Sequence, residues 1–367
     1  MSIIIFIIIL VVLILVHELG HFLVAKKNGI RVDEFGLGYP PKIATLWRKN
    51  GTDYTLNAIP FGGFVKIFGE NPDDESINGS EKEKSFVNKP RWVQASVLIA
   101  GVVFNIIFAW ILISAGFLWG LPTPANYINA GSVTDVKLII TSVAKNSPAE
   151  KADIKAGDSI LSMTTGNDSL GELTPEDVSR FIIEHGDSEI IVFYRRGNST
   201  LTSLKTTVHP ESGIATDKKA IGISMDMIGV LKLPILPAII EGLKTTINLI
   251  WATTIGLGVF IGNAVLGRGD FSQVAGPVGI VGIVGDVTNL GFVYLLSFTA
   301  FISINLAVIN LIPFPALDGG RLLFVAIEAI KRSPIKPKIA NIINTIGFAL
   351  LIILMVIVTF HDIIKLF

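Results

Sequence analysis

IIIFIIILVVLILVHELGHFLVAKK, residues 3–27, sets two histidines and a glutamate inside a run that is otherwise wholly apolar until its closing lysines. About 20 such residues cross roughly 30 Å of hydrocarbon as a helix, so residues 1–27 read as a first transmembrane helix. His17 and His21 are four apart and project from one face of that helix, spelling H-E-x-x-H with Glu18 between them. The two imidazoles can grip one metal ion. Zinc suits neutral imidazoles plus a carboxylate, leaves a position open to water, and needs a nearby carboxylate to take that water's proton, a task for which Glu18 is placed. Five such residues also arise by chance on surface helices. Here, though, each ionisable group in lipid costs on the order of 3 kcal/mol unless something compensates, and a shared cation does.

The composition agrees with a membrane setting. Half of the 367 residues are apolar and mean hydropathy is +0.63, beyond the usual range of a soluble domain. Thirty basic residues balance thirty acidic ones, so nothing argues for nucleic acid as a partner, whereas the lipid bilayer is an obligatory one. No cysteine is present, which removes disulfides, thiolate metal sites and a cysteine nucleophile. Any metal must sit on Asp, Glu or the five histidines, 17, 21, 185, 209 and 361.

Working outward, residues 92–121, 291–318 and 338–362 read as transmembrane helices 2, 3 and 4, giving a polytopic α-helical membrane protein of about four transmembrane helices. The stretch 233–266 is apolar but carries Glu241, Lys244 and several Thr and Gly, so 233–290 reads as an interfacial or re-entrant segment. The first span lacks the basic start and small-residue cleavage site of a signal peptide. Lys26, Lys27 and Arg31, then Lys82, Lys84, Lys89 and Arg91, then Arg321, Lys331, Arg332, Lys336 and Lys338 flank the spans. The positive-inside rule makes those loops cytoplasmic and the chain a multi-pass protein of a cell inner membrane. With both loops inside, one crossing by 233–266 breaks the parity, unless a second near 276–287 restores it.

Between the first two spans, residues 28–91 form a cytoplasmic-side loop in which YTLNAIPFGGFVKIFGE alternates in the manner of membrane-associated β segments. The polar run 71–84 reads as a mobile loop. Residues 124–229 read as one extracytoplasmic α+β domain, with β runs at 138–143, 159–163, 189–194 and 201–208. Thr174, Pro175 and Glu176 start its helix. Its segment NSPAEKADIKAGDSIL, 146–161, resembles the turn and strand of a PDZ domain, departing at Asp153, where glycine is common.

A catalytic zinc needs a third protein ligand. Asp318 ends the third apolar stretch in INLAVINLIPFPALDGG, where Pro313 and Pro315 interrupt the helix and Gly319 and Gly320 permit close approach; its other reading is a helix cap. His17 and Asp318 both fall toward cytoplasmic ends. His361 lies at the far end of the last span, and His185 and His209 lie in the external domain, away from the metal. On residues alone a metal permease stays open, with metal flux and no need of Glu18, as does a peptide-binding scaffold without tightly bound zinc.

HELGH in the first span, NLIPFPALDGG near the end and the PDZ-like insert between them together resemble the site-2 protease family of intramembrane zinc metalloproteases, in its prokaryotic PDZ-containing branch. That resemblance covers essentially the whole chain. It implies one Zn2+ per chain on His17, His21 and Asp318, with Glu18 as catalytic base. It assigns substrate contacts to Asn310, to Asn305, and to the FGLGY sheet containing Gly36 and Gly38. It further implies intramembrane proteolysis of a single-pass transmembrane substrate, such as a membrane-anchored anti-sigma factor, with the active site toward the cytoplasmic side. A glycine-rich element, VAGPVGIVGIVG at 274–285, also matches the family.

Overall fold

A computed structural model describes residues 2–127, 133–166, 168–171, 173–197, 203–215, 218–268 and 275–364. The chain divides into two compact units. One comprises residues 1–113, 242–285 and 298–367; the other comprises 114–241 and 286–297.

The first helix, α1 (Ser2–Lys27), runs unbroken through the HELGH motif, because no proline interrupts it and Gly20 is its only glycine. Two long strands follow, β1 (Val32–Lys49) and β2 (Thr52–Ile67), joined at Asn50 and Gly51, whose positive φ values suit a tight hairpin turn. Both strands fold back on themselves. Residues 34–37 pair with 63–66 on one side and with 53–56 on the other, while 42–49 pair with 52–57. The ribbon therefore has four strand segments, ordered 42–49, 52–57, 32–37 and 63–67. Gly36 lies inside it, where a Cβ would meet the Phe64 ring at 2.4 Å, and Gly38 takes a left-handed φ of 84°.

The polar run expected to be a mobile loop is instead built of short helical turns. Within it, α2 (Asp74–Asn78) carries a capping box between Asp73 and Ser76. The Asn88 amide also donates to the carbonyls of Ser76, Ile77 and Lys82 at 3.0–3.1 Å. Such side-chain-to-backbone bonds order a segment that has few apolar residues to bury. The helix α3 (Arg91–Trp119) follows. It packs Val93, Val97 and Leu98 into a core with Phe22, Ala25, Ile30 and Val32.

The second unit contains β3 (Leu121–Pro124), β4 (Thr134–Val143), α4 (Pro148–Lys151), β5 (Ser159–Thr165), β6 (Asp168–Ser169), α5 (Pro175–Glu184), β7 (Ile190–Arg195), β8 (Leu204–Val208), β9 (Glu211–Ala215), β10 (Lys218–Ala220) and β11 (Ile223–Leu231). Its main sheet is ordered β3-β11-β4-β5-β7-β8, with β6 on β5 and a separate β9–β10 hairpin. Alternate residues Ile190, Val192 and Tyr194 of β7 point inward. Val178, Phe181 and Ile182 of α5 meet them at helical spacing. Thr174 and Ser147 each cap a helix that has proline in its first turn. All four expected β runs and the expected helix are present.

Asp153 has φ 58°, which explains why glycine suits that position in similar domains. The Arg196 guanidinium anchors it, donating to its carboxylate at 3.0 Å and to the almost fully buried Asp158 at 2.8 Å.

The remaining helices are α6 (Ile235–Val265), α7 (Pro277–Leu290), α8 (Phe292–Leu311), α9 (Asp318–Lys331) and α10 (Pro337–Ile364). Instead of a re-entrant turn within 233–266, α6 is one continuous helix of 31 residues. Its Thr246 and Thr254 hydroxyls donate to the carbonyls four residues back at 2.7 Å, so these polar groups do not break the helix. Among the described residues five helices, α1, α3, α6, α8 and α10, are by length and composition sufficient to cross a membrane, against the expected count of about four. The expected third span, 291–318, also ends early, at Leu311. Pro313 and Pro315 withhold backbone donors, and the chain restarts as α9 with Asp318 its first residue.

Replacing Arg196 by Leu is expected to destabilise the β-rich unit by about 3 kcal/mol, because Asp158 is left buried without its partner. Hydrogen exchange of β5 and β7 measures the loss. The Arg196 bond holds the Asp153 carboxyl below its ordinary range, so that group's contribution is complete at neutral pH and disappears as the pH falls through that range and below.

Candidate metal centre

Three side chains from opposite ends of the chain meet at one point. His17 Nε2 lies 3.0 Å from Asp318 Oδ2, His21 Nε2 lies 3.3 Å from the same oxygen, and the two Nε2 atoms are 3.1 Å apart. The rings stand nearly perpendicular, with centroids 4.7 Å apart, and both histidines are 7% exposed. Two imidazole nitrogens and a carboxylate oxygen this close repel one another unless a shared proton or a positive charge sits among them.

The spacing fits zinc. Ligands about 2.0–2.1 Å from a tetrahedral ion lie roughly 3.3 Å from one another, close to all three separations here. Among the described residues this is the only group of three or more His, Cys, Asp or Glu poised for a metal. Asp318 is not a helix cap. The N-cap of α9 is Leu317, which makes no capping bond, and the Asp318 carboxylate is directed at the histidines.

The helix α3 completes the centre, and sequence reading missed its part. His21 Nδ1 donates to the Val97 carbonyl at 2.8 Å, which fixes the Nε2 lone pair toward the cluster. His17 Nδ1 faces the Asn105 amide at 3.3 Å, with Asn105 wholly buried and its Oδ1 lacking a partner. If His17 Nε2 ligates a metal, its proton resides on Nδ1 and needs an acceptor. The Asn105 amide, turned about its Cγ, would bring Oδ1 to that proton, so this side chain can serve the metal-bound tautomer of His17. A Cβ on Gly101 would lie 2.4 Å from His21 Nε2, and one on Gly20 would lie 2.4 Å from the Ala100 carbonyl. Glycine at these two positions is what lets α1 and α3 approach. The legible signal was an asparagine in the apolar stretch VLIAGVVFNIIFAW.

Glu18 faces the ribbon. A Cβ on Gly63 of β2 would stand 3.9 Å from Glu18 Cγ, and the Val65 backbone N–H is directed at its carboxylate. Asn310 is half-buried and its amide makes no hydrogen bond with another described residue. Asn305 instead donates to the Phe301 carbonyl of its own helix at 2.8 Å. His185 pairs with Asp168 at 3.1 Å, His209 lies 3.9 Å from Glu189, and His361 Nε2 is buried without a partner, so none of them joins the cluster.

The model of peptidase family M50 matches residues 5–354. The chain belongs to that family, the site-2 proteases. It is 35% identical over 358 residues to a candidate zinc metalloprotease of Clostridium acetobutylicum, covering 96% of this chain and 94% of the relative. It is 31% identical to the regulator of sigma-W protease RasP of Bacillus subtilis, covering 100% and 99%. A zinc metalloprotease RasP of Bacillus licheniformis is 30% identical, with the same coverage. This M50 member is therefore a multi-pass membrane zinc metalloprotease, and the surroundings of its histidines acquire a purpose.

Replacing Asn105 by Leu is expected to weaken zinc binding about 10–100-fold, whereas Asn105→Asp, which keeps an acceptor, retains most of it. Competition with a chelator of known affinity measures both. Equal losses would exclude the acceptor role.

Proposed function

We propose that the protein hydrolyses peptide bonds within transmembrane segments of single-pass membrane proteins, at one zinc ion held by His17, His21 and Asp318. The observation carrying this reading is the convergence of three ligand atoms within 3.3 Å, the two imidazoles on a helix whose composition suits lipid. A bound zinc ion polarises the scissile carbonyl and makes a water molecule acidic enough to react near neutral pH. Glu18 accepts that water's proton on its carboxylate and returns it to the departing amine nitrogen. Asn310, with its unused amide, is suited to hold the carbonyl oxygen; Asn305, turned onto its own helix, is a weaker candidate.

A transmembrane substrate presents a second difficulty, since its peptide groups are hidden in helical hydrogen bonds. The 63–67 segment of β2 has one edge paired with β1 and, among the described residues, no strand on the other. Gly63 lies on this segment beside Glu18. A substrate drawn out as a strand would satisfy its freed amides along that edge, next to the base. Gly36 and Gly38 shape the sheet that presents the edge.

The β-rich unit is a PDZ-like domain placed outside the cytoplasm, with the metal centre toward the cytoplasmic side. Its groove of about 340 Å³ between α5 and the start of β11, lined by Ser179, Ile182, Ile183, Ile223 and Met225, is where such a domain would take a peptide. The sigma-W regulator in the name of one relative makes a membrane-anchored anti-sigma factor a natural substrate class to test.

With purified protein and a single-span substrate, Glu18→Gln is expected to lower cleavage at least 100-fold while zinc remains bound. Asp318→Ala should lose both zinc and cleavage, and a chelator should stop the parent. Unchanged cleavage by Glu18→Gln would overturn the reading.

A further inference from the structure

The first turn of α9 is fixed on one side by contact alone. A Cβ on Gly319 would lie 2.2 Å from the Ile312 carbonyl oxygen, so the helix start presses against the proline-containing segment before it. Arg321, three residues beyond Asp318, leaves the helix on nearly the same face. Its guanidinium donates to the Glu70 carboxylate and lies 3.4 Å from Asn71 Oδ1, across a cavity of about 450 Å³. Both members of the ion pair are about a quarter exposed.

Glu70 is mounted firmly. The preceding Phe68 is buried, its N–H donates to the Arg31 carbonyl at 2.9 Å, its own carbonyl accepts from Phe86 N–H at 2.8 Å, and the Arg31 guanidinium covers its ring at 3.6 Å. This anchor directly continues β2, the strand whose Gly63 lies beside Glu18. One bond therefore ties the helix that begins with Asp318 to the strand that flanks Glu18. A second ion pair, Arg91 with Glu328 at 2.8 Å, ties α9 to α3, but nearly three turns further along.

We propose that Arg321 is a positioning residue, which through Glu70 fixes the rotation of the first turn of α9 and so the place of the Asp318 carboxylate in the metal centre. This rests on the zinc-site reading above. An ion pair still reached by solvent adds little to stability, so its effect should appear in the metal site and hardly in unfolding.

The test loads full-length detergent-purified protein with Co2+, whose visible absorption reports the ligand set and geometry. Arg321→Ala and Glu70→Gln are each expected to weaken Co2+ binding about tenfold or more and to alter the spectrum, with their unfolding midpoints near the parent's. The double variant should be no worse than either single one, and Arg321→Lys should recover part of the loss. Arg91→Ala is the control, expected to leave the spectrum unchanged. A parental spectrum and affinity in Arg321→Ala would overturn the proposal, as would equal changes in Arg91→Ala, since these would mean that loosening α9 anywhere suffices. If Arg321→Ala unfolds, the milder Glu70→Gln decides alone. A parent that binds no Co2+ overturns the metal centre itself, and this proposal with it.

Discussion

Everything in the first unit is arranged around a crowding of electron pairs that a polypeptide alone would avoid. Two imidazole nitrogens and a carboxylate oxygen, all within 3.3 Å of one another, are held together only by shared protons or by a cation between them. In a helix that water hardly reaches the alternative is worse, because unpaired polar groups there have no other partner. A cation held there would account for both the geometry of the site and its location.

Keeping that crowding in place falls to α3 and α9, neither of which carries the H-E-x-x-H motif. The helix α3 approaches so closely at Gly20 and Gly101 that the backbone carbonyl of Val97 and the amide of Asn105 reach the outer nitrogens of the two histidines. The Val97 carbonyl thereby fixes the His21 tautomer with its inner lone pair directed at the cluster, and the Asn105 amide, turned about its Cγ, would do the same for His17. The helix α9 begins where the prolines stop α8, and that restart turns Asp318 back toward α1. Small residues permit the approach and hydrogen bonds convert it into orientation.

The ribbon of β1 and β2 links this centre to the substrates of a membrane protease. Hydrolysis requires an exposed peptide bond, and lipid favours helices in which none is exposed. On the proposed function, a strand edge beside Glu18 would offer the hydrogen bonds that an unwound segment has lost, making unwinding and positioning a single event. The two strands fold back on themselves, and that is what brings residues 63–67 to the outside of the sheet beside α1.

Much of this was legible from local chemistry. Spacing of four placed His17 and His21 on one face, apolar length marked the spans, and a cap with a first-turn proline located α5. The continuity of α6 was not legible because threonines look like interruptions when their bonds to the preceding turn are not visible. Asn105 and Arg321 went unnoticed for a different reason: one partner is 88 residues away and the other 251. Sequence alone determined the ligand types, the motif and the lipid setting, because composition and short-range periodicity encode them. Only the tertiary structure decided that Asp318 opens a helix instead of ending one, which atoms hold the histidine tautomers, and which strand edge stands open, because each depends on contacts between segments far apart in the chain.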